Sequence, residues 1–204
     1  MIFKNTKLTN RDILGFLLFF GPFEFLLAII IGAGITPNYH VGVYYVSSLG
    51  VGETALLFNA SVLILGVCMV LASYFIQQEY KTPLFSLLCL LSGLSALGVG
   101  LFPEDVRPLH GIMTALVFLF GALFLLSSFS VNKKSPILYI TTILGSLTLI
   151  GSFLFLPYLG LEVESTAQFM GFMKGTLERL VIYPMLIGVI LLAGYLSKEK
   201  SSAV

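Results

Sequence analysis

Residues 12–33, "DILGFLLFFGPFEFLLAIIIGA", decide the fold. Crossing about 30 Å of hydrocarbon takes roughly 20 predominantly apolar residues. This stretch supplies them, with Glu24 as its one ionisable residue after Asp12. The run is too long for the apolar region of a cleaved signal, so it reads as a span that stays. Five further runs of the same kind follow, at about 54–76, 83–102, 109–130, 136–157 and 177–197. The expected architecture is an all-α integral membrane protein, one six-transmembrane-helix domain over residues 1–204.

Composition supports this reading. Of 204 residues, 57% are hydrophobic and 10% charged, with a mean hydropathy of +1.01. Soluble domains are about a quarter charged, and helices that are apolar all round need lipid or a very large core. A net charge of +1 gives no basic field for nucleic acid. Cys68 and Cys89 fall inside apolar runs and read as small buried hydrophobes. No phosphate-binding glycine loop or GxSxG elbow occurs, and His40 and His110 with scattered acids suit no metal site.

The basic residues orient the bundle. Six spans put both termini and the loops near 77–82 and 131–135 on one side. Lys4, Lys7, Arg11, Lys81, Lys133, Lys134, Lys198 and Lys200 fall there, eight of the 11 basic residues. Arg107, Lys174 and Arg179 fall on the other. The positive-inside rule then places both termini in the cytoplasm of a cell-membrane, multi-pass protein. Two longer loops, "GITPNYHVGVYYVSSLGVGE" and "YLGLEVESTAQFMGFMKG", lie on the outer side. Their Tyr, Phe and Met side chains favour the interface, so both loops are expected to fold over the outer ends of the helices. Ser92, Ala96 and Gly100 on the third span, with Gly145 and Gly151 on the fifth, predict close helix packing.

Polar residues within the spans ask for a partner or a task. Glu24 lies near the midplane, where it is either neutral and hydrogen-bonded or turned to a cation or ligand. Asn59 is deep enough to need a partner on another helix. In "GTLERLVIYP", Arg179 and Tyr183 share a face, as do Lys174 and Glu178. These charges either snorkel to the interface or turn inward, Arg179 toward Glu24 or a ligand. In "LFPEDVRPLHG", Pro103 ends one span and Pro108 starts the next. Glu104 and Asp105 precede a helix N-terminus, whose partial positive charge explains them, whereas His110 and Thr114 share a face one turn apart. Glu24, Asn59, Arg107, His110, Glu178, Arg179 and Tyr183 are therefore the candidate ligand-binding residues, all in the outer half.

The stretches "SSLGVGETALLFNAS", "GLFPEDVRPLHG" and "GTLERLVIYP" together resemble the "domain of unknown function 998" family of bacterial and archaeal membrane proteins. The resemblance covers nearly the whole chain and implies a multi-helix membrane fold, with no activity attached. It implies marked positions at Ser48, Gly50, Phe58, Asn59, Pro103, His110, Glu178, Arg179 and Pro184.

Three functional readings follow from the residues. The first is a pocket in the outer leaflet for a membrane lipid or other small amphiphile, with Arg179 and His110 at its polar end. A second is an enzyme acting on a lipid or quinone-like substrate, with His110 as acid or base, Glu178 or Glu24 orienting it, and Asn59 polarising a carbonyl. Haem held between His40 and His110 for electron transfer is the third. A homo-oligomer or a subunit of a larger membrane complex is compatible with each.

Overall fold

The computed structural model describes residues 8–132, 135–158, 161 and 165–198. Lys4, Lys7, Lys133, Lys134 and Lys200 of the charge count, and parts of the loop between the fifth and sixth helices, lie outside the described residues.

Six long helices follow one another: α1 (Asn10–Ile35), α2 (Ala55–Tyr80), α3 (Pro83–Leu101), α4 (Arg107–Ser127), α5 (Pro136–Phe155) and α6 (Lys174–Leu196). All six are long and apolar enough to cross a membrane. Local chemistry sets their ends. Thr9 and Asp12 form a reciprocal capping box at the start of α1, Thr9 N donating to Asp12 Oδ2 at 2.9 Å. Prolines open α3, α4 and α5 in the first helical turn, where a missing N–H does no harm. Lys81, with φ of 52°, turns the chain sharply between α2 and α3. The sixth helix begins at Lys174, three residues before the expected start, because the turn holding Lys174 to Thr176 is already helical.

Each helix packs on its neighbour in sequence, and α6 returns to pack on α1, so the six close into a ring. Only α4 and α6 meet appreciably across it. There Gly121 faces Met185 and Gly188 faces Leu125. Large apolar side chains such as Phe16, Ile30, Ile143, Ile150 and Phe153 point outward into the space lipid would fill. At the end carrying the chain termini, Arg11 Nε pairs with Glu79 at 2.9 Å.

The helix contacts follow the small residues. A Cβ on Gly93 of α3 would lie 2.8 Å from Val70 N and 2.9 Å from Gly66 O on α2, and one on Gly66 would lie 2.8 Å from Leu97 N. Gly151 of α5 sits against Val181, beside Pro184 of α6. Pro184 removes the bond that Leu180 O would otherwise accept, and Thr148 of α5 donates to the next carbonyl, that of Val181, at 3.4 Å.

The end opposite the termini is closed by two loops. Between α1 and α2 the chain runs through two 3-10 turns, Ser47–Gly50 and Gly52–Thr54, with Tyr45, Val46, Ser47 and Leu49 buried. Between α5 and α6 a small hairpin pairs β1 (Gln168–Phe169) with β2 (Phe172–Met173). Its two-residue turn, Met170 and Gly171, has positive φ at both positions, as a type I′ turn requires.

Candidate functional site

The buried "ER" dipeptide of α6 organises this end. Glu178 and Arg179 point in different directions, as adjacent helical residues must, and hold the same loop by its two kinds of backbone group. Glu178 accepts the N–H of Val46, and the N–H of Ser47 is also directed at it. Arg179 Nη1 donates to Val41 O at 2.6 Å, Tyr44 O at 3.3 Å and Gly175 O at 2.9 Å; Nη2 donates to Tyr39 Oη at 2.8 Å. Gly175 makes this possible, since a Cβ there would lie 2.2 Å from Tyr44 O. The guanidinium also sits over the Tyr39 ring, 5.6 Å from its centre.

Tyrosines tie the two loops together. Tyr39 Oη donates to Tyr45 O at 2.6 Å, Tyr45 Oη to Tyr158 O at 2.7 Å, and Tyr158 Oη to Phe172 O at 2.5 Å. Lys174 Nζ donates to Ser165 O at 2.5 Å and lies over the Tyr45 ring. Burial pushes the Tyr39 phenol up to about 12, against the attraction of Arg179 for the phenolate. Burial, then the nearby Glu178 and Glu104, also raises that of Tyr45.

The Tyr39 value has a measurable consequence. An unfolded tyrosine ionises near 10, before the folded one, so alkali draws the chain toward the unfolded state. Tyr39's contribution to stability is complete below about 10 and lost as pH rises to about 12. Thermal midpoints of the wild type and of Tyr39→Phe, followed between those values, are expected to converge with rising pH.

Behind the loops lies a cavity of about 80 Å³ lined by Glu104, Arg107, His110, Thr114 and Glu178, with Tyr45, Ser47, Phe155 and Tyr158. The pattern of Pro103 and Pro108 places its charged rim, and the helical spacing of His110 and Thr114 sets both side chains on one face of α4. His110 Nδ1 lies 2.7 Å from Phe102 O, whereas Nε2 is buried without a partner, as is Thr114 Oγ1. Glu104 and Arg107 also border a larger cleft of about 490 Å³ under Thr36, Asn38, Tyr39 and Tyr44. Thr114 and Glu178 continue inward to a small apolar void of about 40 Å³ beside Phe25, Phe58 and Phe118.

Of the seven residues expected to share one pocket, three do: Arg107, His110 and Glu178. Arg179 is turned to loop carbonyls and forms no ion pair with Glu24. With Tyr183 it borders a separate lateral groove of about 450 Å³ between α5 and α6. Asn59 bonds to no other helix. Its Nδ2 donates to Gly50 O at 2.9 Å, because the 3-10 turns before α2 fold that carbonyl back over the helix. Glu24 is half-buried beside Ser61 of α2, outside the cavity.

Asn59, bonded to Gly50 O, does not line the cavity that His110 faces. His40 is exposed on its loop, whereas His110 is buried and faces a space of about 80 Å³ that His40 does not line. No group of three or more metal-ligating side chains occurs among the described residues. Glu104, explained from sequence by the helix N-terminus that follows it, is buried on the cavity wall. Its place could not be found from sequence, because a carboxylate before a helix N-terminus looks the same whichever way the turn faces.

Residues 19–195 match the family described as "Protein of unknown function (DUF998)". The chain belongs to this DUF998 family. No curated protein and no solved structure matches it. The match covers every residue of the cavity and both members of the "ER" dipeptide, so the site lies within the part of the chain that defines the family. It is a multi-pass DUF998 membrane protein of unknown function.

Proposed function

We propose that this DUF998 protein binds a membrane lipid or other small amphiphile at the end of the bundle opposite the termini, which the charge count turns outward at the cell membrane. The observation that carries this reading is the pair of buried, unpartnered polar atoms, His110 Nε2 and Thr114 Oγ1, facing one cavity. Buried polar groups in native proteins are nearly always satisfied, so such a pair marks a place where something else supplies the bonds. The polar end of an amphiphile would enter past Glu104 and Arg107, with its apolar part against Phe155 and Leu161. In place of Arg179, whose donors hold the loop, Arg107 is the cation at the mouth.

Photo-crosslinking tests this. A lipid carrying a diazirine near its headgroup, in vesicles with the purified protein, is expected to label peptides within residues 36–52 and 104–114. Labelling confined to outward-facing positions such as Phe16, Ile143 and Ile150 would show ordinary lipid contact and remove the proposal.

A further inference from the structure

The bonding character of the cavity wall can be read atom by atom. A carbonyl oxygen only accepts, so the 2.7 Å contact with Phe102 O requires the proton of neutral His110 on Nδ1. In that neutral tautomer Nε2 is a bare acceptor. It sits in a side chain 6% exposed, and Thr114, 8% exposed, adds a hydroxyl without a partner. Two carboxyl groups complete the wall, Glu178 at 2% and Glu104 at 8% exposure, against one guanidinium, Arg107. Acceptors therefore dominate. An anion placed beside His110 would meet lone pairs and carboxylates, whereas a group bearing several N–H donors would satisfy them.

The geometry points to a primary ammonium as the group that fills this cavity, carried on an amphiphile or small molecule whose anionic part stays at Arg107. This rests on the amphiphile reading above and names its headgroup. Size permits it. A single water needs roughly 10–15 Å³ of such space, so about 80 Å³ has room for an aminoethyl head. Position agrees as well, because Arg107 borders both the inner cavity and the outer cleft. An ammonium inside and a phosphate at the rim is the layout of a phosphoethanolamine. Arg107 carries five donors, so it can meet such a phosphate alongside its other contacts.

Headgroup competition tests the assignment. The wild type would be reconstituted with the photo-lipid and challenged with phosphatidylethanolamine, phosphatidylcholine, phosphatidylglycerol or soluble phosphoethanolamine. Phosphatidylethanolamine is expected to displace the label at least about tenfold better than phosphatidylcholine, which has the same charge but no N–H. Bonds to charged groups are worth that factor or more. His110→Asn keeps a donor where Nδ1 stands and removes the acceptor at Nε2. Thr114→Val keeps the shape and removes the hydroxyl. Each is expected to erase the preference while leaving the thermal midpoint near that of wild type.

The arms separate the outcomes. Equal displacement by phosphatidylethanolamine and phosphatidylcholine, or preference for phosphatidylglycerol, overturns the ammonium assignment and leaves the amphiphile reading standing. Displacement by soluble phosphoethanolamine at equal concentration supports the ammonium site and makes a free amine its source. If no photo-lipid labels residues 104–114 and soluble phosphoethanolamine gives no protection of the thermal midpoint, both readings fall.

Discussion

Arg179→Ala is expected to lower the unfolding free energy by roughly 3–5 kcal/mol and the thermal midpoint by about 6–20 °C. The guanidinium holds the carbonyls of Val41, Tyr44 and Gly175 and the hydroxyl of Tyr39 in a buried position. Removing it leaves those acceptors facing a cavity without donors, which costs more than the bonds themselves. Arg179→Lys restores the charge without the planar fork, so about half of the loss should return. The loop over the cavity should also loosen, seen as faster hydrogen exchange at Val46 and Ser47. Exchange and midpoint both unchanged would mean that Arg179 does not hold the loop. The bundle end would then be closed by other contacts.

Gly93→Leu is the second large effect, expected at roughly 3 kcal/mol, the upper range of overpacking costs. The obstacle is backbone on a facing helix, Val70 N at 2.8 Å and Gly66 O at 2.9 Å from a Cβ, so no rotamer relieves it. The α2–α3 crossing must widen, and helices in lipid depend on such close packing because lipid offers no hydrophobic drive between them. Gly194→Leu is the control. Nothing lies within 4 Å of a Cβ there, and the position is exposed on α6, so its midpoint should stay within a degree or two of wild type. A similar small shift for Gly93→Leu would show that α2 and α3 do not approach through this glycine pair.

The fold was legible in the sequence because the bilayer imposes one length and one composition on every span. Runs such as 12–33 and 136–157 therefore announce themselves within a few residues of their observed ends. Pro108 marked the start of α4, and Pro83 and Pro136 open α3 and α5 for the same local reason. Half of the site was legible too. Helical spacing put His110 beside Thr114, and depth flagged Glu178. What could not be read was direction around each helix axis and the path of the loop between α1 and α2. That path decides that Arg179 meets Val41 and Tyr44, that Asn59 meets Gly50, and that Glu178 faces the cavity. A Glu next to an Arg looks like two snorkelling charges until a neighbouring backbone offers an N–H to one and carbonyls to the other.

The closed ring has a consequence for biogenesis. In a chain inserted helix by helix, α2 through α5 can each dock on the helix before, but the seam with α1 stays open until α6 leaves the insertion machinery. Glu178 and Arg179 travel on that last helix, and they pin a loop made near the beginning. The chamber at the bundle end is thus a product of completion: nascent protein lacking α6 does not form it, however well its earlier hairpins are inserted.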